Sequence, residues 1–390
     1  MEVKLTIVVW NVTRRSVIRI KRTCFGIKVE CLRLIFRLFY ENYSNLNQDA
    51  KLCLHLAPTF LTLLLSMSTI FTYLDSPNEK LFFSRNDSSD PRMGDIVLRG
   101  EKKFTNDIAI GIVGVPTDEG VKRNGGRIGA KDGPDAIRTE FYKRTPFVIG
   151  KEKSPSVVPV FDFGDVKCGK TLEETHENLT EVVQTLVSAG IVPIVLGGGH
   201  DIAFPNFLGF STGKKNVGVI NIDTHLDYRK PIPKRNSSTS FRQMLDHQSS
   251  ALNAMNLVEV GIQSFANATD HYSELIERGA TVFSLRDVRA DGITKTLELA
   301  YELATSSVDS LYISFDLDVV NGTDSPGVSA PLPTGFTAEE FLTAALFAGK
   351  RRKTKLIDIV EMNPKYDQDG RTAKLAALAM MYFLTGFANR

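Results

Sequence analysis

The chain has 390 residues, a formal net charge of +2, and 43% hydrophobic against 24% charged residues. That length holds one large α/β domain with an extension, or two domains, and the composition is that of a globular protein. The near-balanced charge excludes an overall field calling for nucleic acid. Only one of the four cysteines, Cys168, lies beyond residue 53, so the main body cannot close an internal disulfide and needs no oxidising compartment.

In chain order, residues 1–74 stand apart. Residues 1–51 carry ten Lys or Arg against four Asp or Glu, and residues 52–74 carry no charged side chain at all. The uncharged run is long enough to cross a bilayer. It also contains His55 and Pro58, and it begins too late for an ordinary signal peptide. Three readings stand: a membrane anchor, an organelle-targeting leader, or an upstream extension that the mature protein lacks, with Met67 as its start. The division is therefore 1–74, a basic and apolar extension; 75–104, a lead-in segment; and 105–390, the main domain. A cytoplasmic protein is expected if the extension is lost, and a membrane-anchored or organellar one if it is kept.

From residue 107 the pattern is strand, loop, helix, repeated. Apolar, β-branched runs predict strands at 108–116, 157–161, 191–196, 217–222, 257–260, 281–285, 311–315 and 355–360. Helices are expected at 270–278, 294–304, 337–348 and 372–385, and another begins at Thr171, where Glu174 completes a capping-box signature and Gly190 is placed to end it. Thr337 and Glu340 repeat that signature. The alternation implies a mostly parallel sheet covered on both faces.

Three of these strands end in chemistry. The strand at 217–222 runs into Asp223-Thr-His225-Leu-Asp227; read as extended chain, the three polar residues point to one side. Alone, the motif is equally a polar loop with a salt bridge. The strand at 191–196 runs through three glycines into His200, and the strand at 311–315 ends in Asp316 and Asp318. Two imidazoles and four carboxylates at strand carboxyl ends suit manganese or a similar hard divalent ion. Six ligands are too many for one tetrahedral ion and point to two metals about 3.5 Å apart.

These stretches, in this order, with Asp358-Ile-Val-Glu361-Met-Asn-Pro364 as a fourth, resemble the ureohydrolase family of arginases, agmatinases and formimidoylglutamases. Within it, Asn86 to Asp95, Asp118 to Arg127 with Gly129, Ala130, Gly133 and Pro134, and Ser237 to Arg242 are most similar to formimidoylglutamases. The resemblance implies a three-layer α/β/α fold with an eight-stranded parallel sheet. It implies two Mn2+ per subunit: one held by His200, Asp223, Asp227 and Asp316, the other by Asp223, His225, Asp316 and Asp318. Asp223 and Asp316 would bridge. A water between two cations ionises near neutral pH and becomes a nucleophile for a trigonal amidine carbon. Asp227 would pass a proton to the leaving nitrogen, and Glu361 would pair with the amidinium.

The implied reaction is hydrolysis of N-formimidoyl-L-glutamate to L-glutamate and formamide. Guanidino-acid hydrolase, guanidinase and agmatinase remain alternatives, as does a non-catalytic binding or regulatory member. A substrate with two carboxylates calls for fixed cations, for which Arg123, Arg127 and Arg242 are candidates, with Asn124, Thr239 and Ser240 as neutral donors. The structural reading of each arginine is an ion pair that holds a loop. Arginases and agmatinases carry a proton-transferring histidine in the loop after Asp-x-His-x-Asp; residues 230–242 have none. His176 is expected to face solvent, His247 to lie on a helix surface and His271 at a helix start. The expected partners are a small-molecule amidine and further copies of the chain; no nucleic acid is expected, and a membrane only if 52–74 is an anchor.

Overall fold

A computed structural model describes residues 69–100, 104–105, 107–248 and 251–390. The N-terminal extension up to residue 68, with Met67 and His55, lies outside these residues, while Leu74 at its end belongs to the first strand of the sheet. Among the described residues no helix is long and apolar enough to cross a membrane.

The sheet has ten strands: β1 (Leu74–Asp75), β2 (Leu98–Arg99), β3 (Ile110–Val115), β4 (Val160–Val166), β5 (Val192–Gly197), β6 (Val217–Ile222), β7 (Leu252–Ile262), β8 (Thr281–Ser284), β9 (Leu311–Asp316) and β10 (Thr354–Val360). Eight of them run parallel in the order β4-β3-β5-β10-β9-β6-β7-β8. The two beyond the expected eight are two-residue strands at the β4 edge, β1 antiparallel and β2 parallel to it. Every residue of β3, β5, β6 and β9 is buried, as a strand covered on both faces requires.

The helices are α1 (Met93–Ile96), α2 (Glu119–Arg123), α3 (Gly133–Phe141), α4 (Leu172–Ser188), α5 (Ala203–Ser211), α6 (Ser240–Asp246), α7 (Thr269–Glu277), α8 (Leu285–Asp291), α9 (Ile293–Ala304), α10 (Ala338–Lys350) and α11 (Arg371–Ala388). Side chains of α3, α9, α10 and α11 join Ile112, Ile194, Ile220, Ile313 and Ile357 in one core. Those of α4, α5, α6 and α7 join Val113, Val195, Val219, Tyr312 and Leu356 in the other. Alternate residues of each strand thus feed opposite layers, which gives the three-layer arrangement.

Local signals set the boundaries. Thr171 Oγ1 accepts from Glu174 N at 3.2 Å, while the Glu174 carboxylate accepts from Lys170 N at 2.7 Å, one residue earlier than a reciprocal box would have it. Gly190 sits at φ +77°, where a side chain would be strained, and ends α4. Thr337 and Glu340 form the reciprocal box that starts α10. β4 continues through Asp162 to Val166, past its expected end at 161, because Arg138 and Tyr142 satisfy the Asp162 carboxylate inside the fold. Helix α5 has no amphipathic stripe because seven of its nine residues are buried.

Candidate metal centre

The four strands that end in polar motifs are neighbours: β5, β10, β9 and β6 lie side by side in the middle of the sheet. Their carboxyl ends therefore open onto one spot, the usual ligand position of an open α/β sheet. The chain leaves β5 through Gly198, where a Cβ would lie 1.8 Å from the Thr117 carbonyl oxygen, so only glycine passes.

Asp223, His225 and Asp227 converge, but not as extended chain. β6 ends at Ile222; Asp223 Oδ1 then accepts from His225 N at 2.7 Å, and Asp227 turns into the left-handed region at φ +40°. A hydrogen-bonded Asx turn replaces the expected pleat. The same device follows β9, where Asp316 Oδ1 accepts from Asp318 N at 2.8 Å and starts a short 3-10 turn. Glu361, just past β10, is also left-handed at φ +65°. Two non-glycine residues held in that region, after the two strands that flank β9, mark a site where the surroundings impose conformation.

Two groups of ligand atoms result. His200, Asp223, Asp227 and Asp316 form one; Asp223, His225 and Asp318 form the other, each with atoms within 4.8 Å of one another. His200 Nδ1 lies 3.1 Å from Asp223 Oδ2, 2.9 Å from Asp227 Oδ2 and 3.1 Å from Asp316 Oδ2. His225 Nδ1 lies 3.0 Å from Asp318 Oδ2 and 3.6 Å from Asp223 Oδ1. Asp223 alone gives an oxygen to each group. Asp316 enters the first group through Oδ2, and its Oδ1 accepts the Asp318 amide, as Asp223 Oδ1 accepts that of His225.

The donor set fits a cation. Ser314 Oγ donates to Asp358 Oδ1 at 2.7 Å, so in the contact of 2.9 Å with His200 Nε2 the ring nitrogen is the donor. The neutral ring then presents a bare Nδ1, which is buried and has no hydrogen-bond partner while three carboxylate oxygens crowd it. Lone pairs facing carboxylates repel unless a positive charge sits between them. Neighbouring ligands around an octahedral ion at ~2.1 Å are ~3 Å apart, the spacing seen here. Burial pushes Asp318 up to about 6 and Asp316 well above the carboxylate range, with neighbouring carboxylates adding to the effect. Burial opposes charge on His200, but without a cation Asp223, Asp227 and Asp316 outweigh it and raise its pKa, so a bound ion would take the place of a proton on Nδ1.

Glu361 adds a further buried carboxylate. Its Oε1 accepts from His200 N at 2.8 Å, while Oε2 is buried without a partner. Burial pushes it up to about 8. A cationic N–H donor is what this free oxygen lacks.

Each of the six candidate substrate contacts already has a partner within the fold. Arg123 spends its fork on Glu173, at 2.7 and 3.2 Å, and on Glu119. Arg242 spends its own on Glu274, at 2.8 and 2.7 Å, with Asp246 at 3.1 Å. Arg127 donates to the carbonyls of Ser329 and Val328 and lies over the Tyr366 ring. Asn124 donates to Ser238 Oγ at 2.8 Å, Thr239 Oγ1 to the Asn236 carbonyl at 2.8 Å, and Ser240 Oγ to the His200 carbonyl at 2.9 Å. The ion pairs of Arg123 and Arg242 are the loop-holding arrangement. Ser240 supports the metal-ligand turn.

Beside the ligands opens a cavity of about 290 Å³, lined by His225, Asp227, Arg229, Ser238, Asn267 and His271 among others. Of these lining residues, Arg229 was not singled out in the sequence. Arg229 could have been found as the cation two residues past Asp227; His271 gave only its helix-start position, which is correct. His176 does not face solvent: it is buried, and its Nε2 meets Asp201 Oδ2 at 2.8 Å. Helix α4 turns that flank onto the His200 loop. His247 packs edge-on against Phe204 at the end of α6.

The profile of the arginase family matches residues 108–386. A formimidoylglutamase of Macrococcus caseolyticus is 33% identical over 73% of this chain and 88% of its own length. One of Rhodococcus opacus is 35% identical over 68% of this chain and 82% of its own. A crystal structure of Trypanosoma cruzi formiminoglutamase with Mn2+ superposes with a TM-score of 0.72 at 34% identity, covering 77% of this chain and 99% of that one.

Proposed function

This chain belongs to the arginase family, and from that premise we propose that it is a binuclear-manganese amidine hydrolase that converts N-formimidoyl-L-glutamate and water to L-glutamate and formamide. The observation that carries the reading is the buried, bare Nδ1 of His200 among three carboxylates, a site that needs a cation, on a chain with formimidoylglutamase relatives at 33% and 35% identity. His200, Asp223, Asp227 and Asp316 would hold one ion, and Asp223, His225 and Asp318 the other. When bound, two such ions supply Lewis acidity and a water acidic enough to act as a nucleophile near neutral pH.

The chain's own residues do the rest. Ser314 holds His200 in the tautomer that leaves Nδ1 free to ligate. Glu361 receives the amidinium on Oε2, since Oε1 is taken by the His200 amide. That contact orients the trigonal carbon toward the ligand cluster. Asp227 lies both in the first ligand group and on the cavity wall, so it is placed to carry a proton from the water to the leaving nitrogen. The oxygen of water adds to the amidine carbon, the bond from that carbon to the glutamate nitrogen breaks, and the nitrogen leaves protonated.

The reading extends to a cytoplasmic homo-oligomer acting on a small molecule, which cell fractionation and sedimentation velocity would check. The central experiment loads the protein with manganese and measures formamide and glutamate from formimidoylglutamate, beside ammonia or urea from agmatine, arginine and guanidine. Turnover of formimidoylglutamate at a kcat/KM at least a hundredfold above the others is expected. Hydrolysis of agmatine or guanidine with none of formimidoylglutamate would overturn the substrate and leave the metal chemistry standing.

A further inference from the structure

We propose that Glu259, buried one row beneath the metal ligands, is a positioning residue of the metal centre that acts on the Asp223–His225 turn through Asn221. This rests on the metal reading above and is independent of the substrate.

The sheet carries one polar row in its apolar interior. Strand register sets Asp358 of β10 beside Ser314 of β9, Ser314 beside Asn221 of β6, and Asn221 beside Glu259 of β7. Two residues earlier in the same four strands stand Leu356, Tyr312, Val219 and Leu257, all in the core that α4 to α7 cover. The strand period of two puts the polar row on that same face. Two residues later in β9 and after β6 come the ligands Asp316 and Asp223. The row is therefore the layer of side chains next to the ligands, and all four of its members are fully buried.

The β10 end of the row is well held. Asp358 accepts from Ser314 Oγ, Phe315 N, Asn206 Nδ2 and the Tyr312 hydroxyl, and Ser314 in turn meets His200. Glu259 closes the other end with far less support. Its Oε2 accepts from Asn221 Nδ2 at 2.8 Å, and its Oε1 is buried without a partner. Burial lifts its pKa well above the carboxylate range, and Asp223 and Asp227 add to the shift. A buried carboxyl with a single donor is less stable than an apolar side chain of the same size. Core packing gives no reason for Glu at this position; the contact with Asn221 does.

That contact sets the Asn221 amide. Its nitrogen meets Glu259 Oε2 and, at 3.4 Å each, Asp223 Oδ2 and the His225 carbonyl. Three oxygens around one nitrogen decide which end of the amide points there. One hydrogen goes to Glu259, and the other is left for the turn. Without Glu259 the amide is free to rotate, and the turn that carries the shared ligand Asp223 and the second-group ligand His225 loses a brace. Partners one step outside the ligands govern metal affinity in this way.

The test is manganese titration by calorimetry of the wild type, E259M, E259Q, N221A and the double variant N221A/E259M, with thermal melts of the metal-free proteins. E259M should bind manganese about 10–100-fold more weakly, while its metal-free midpoint stays level or rises because the unpaired carboxyl is gone. A side chain that merely filled the core would move the midpoint and leave the affinity alone. E259Q should stay within about threefold of wild type, because the Gln oxygen still accepts the Asn221 N–H. The double variant should bind no more weakly than N221A. Unchanged affinity in E259M, an E259Q as weak as E259M, or additive losses in the double variant would each overturn the inference. Should E259M not fold, E259D, one methylene too short for the contact, is judged by the same criterion. A wild type that binds no manganese would remove the metal reading and this inference together.

Discussion

Replacing Asp223 by Asn should empty both metal positions at once, whereas replacing Asp318 by Asn should empty one. Asp223 is the residue with an oxygen in each ligand group: Oδ2 sits 3.1 Å from His200 Nδ1, and Oδ1 sits 3.6 Å from His225 Nδ1 while accepting the His225 amide. The amide of Asn keeps one oxygen to close that turn, so the local backbone has no reason to change. What disappears is the negative charge, and one ligand oxygen becomes an NH2 group that points hydrogens toward a cation. Losing a partner one step outside the ligands already weakens metal binding 10–100-fold. Losing a shared ligand should exceed the upper end, more than about 2.8 kcal/mol for each ion. Asp318 serves the second group only, so its loss leaves the His200 group intact. The assay is metal content per chain after desalting, with circular dichroism to show that the fold is kept. Two manganese ions per chain in Asp223→Asn would refute the shared-ligand assignment, and loss of both ions in Asp318→Asn would show that the two groups are not separable.

Ser314→Ala should lower manganese affinity about 10–100-fold with both ligand groups present, because His200 Nε2–H loses its acceptor; titration calorimetry reads this directly. Arg242→Ala should lower the thermal midpoint by an amount equivalent to roughly 1 kcal/mol, discounted for the exposure of Glu274, and leave the ratio of acidic to neutral substrates unchanged in a kinetic comparison. Glu361→Gln should retain both metals by elemental analysis but lose more than a hundredfold in kcat/KM, as expected when one partner of a buried charged contact goes. The Arg123 fork donates hydrogen bonds to Glu173 and holds its carboxyl down at about 2, against an ordinary value of 4.5. A lowered folded-state value stabilises above the unfolded pKa and is lost as pH falls toward the folded one. The midpoint gap between wild type and Glu173→Gln should therefore be largest above pH ~4.5 and close toward pH ~2, as followed by thermal melts.

How much of this was legible follows from the physics of each signal. Parallel strands buried on both faces write themselves as continuous apolar runs, so all eight main strands could be read, although β4 runs five residues past its expected end and β7 starts five residues before its expected start. Amphipathic helices such as α4 and α10 carry a stripe and a cap, and were equally readable. Helix α5 was not, because its all-round burial erases the period. The cluster of candidate ligands was legible because Asp and His at the end of an apolar run have no structural use there. How they converge was not. The expected pleat is replaced by Asx turns at Asp223 and Asp316, and a turn that depends on a side-chain hydrogen bond leaves no periodic mark.

The same reasoning explains what the sequence could not say about the cations. Charge and motif membership drew attention to Arg123, Arg127 and Arg242, but a guanidinium is available to a ligand only if nothing in the fold already holds it. That is a property of partners brought from 32 residues away for Arg242 and 50 for Arg123, which no local reading supplies. Glu274 and Glu173 look like surface helix residues in the sequence, and only the packing of α7 and α4 against the loops turns them into partners. His176 shows the converse, a histidine among glutamates that becomes buried because α4 lies against the turn carrying His200. In this fold the sheet sets where chemistry can happen, while the helices and loops decide which charges are left free to take part in it.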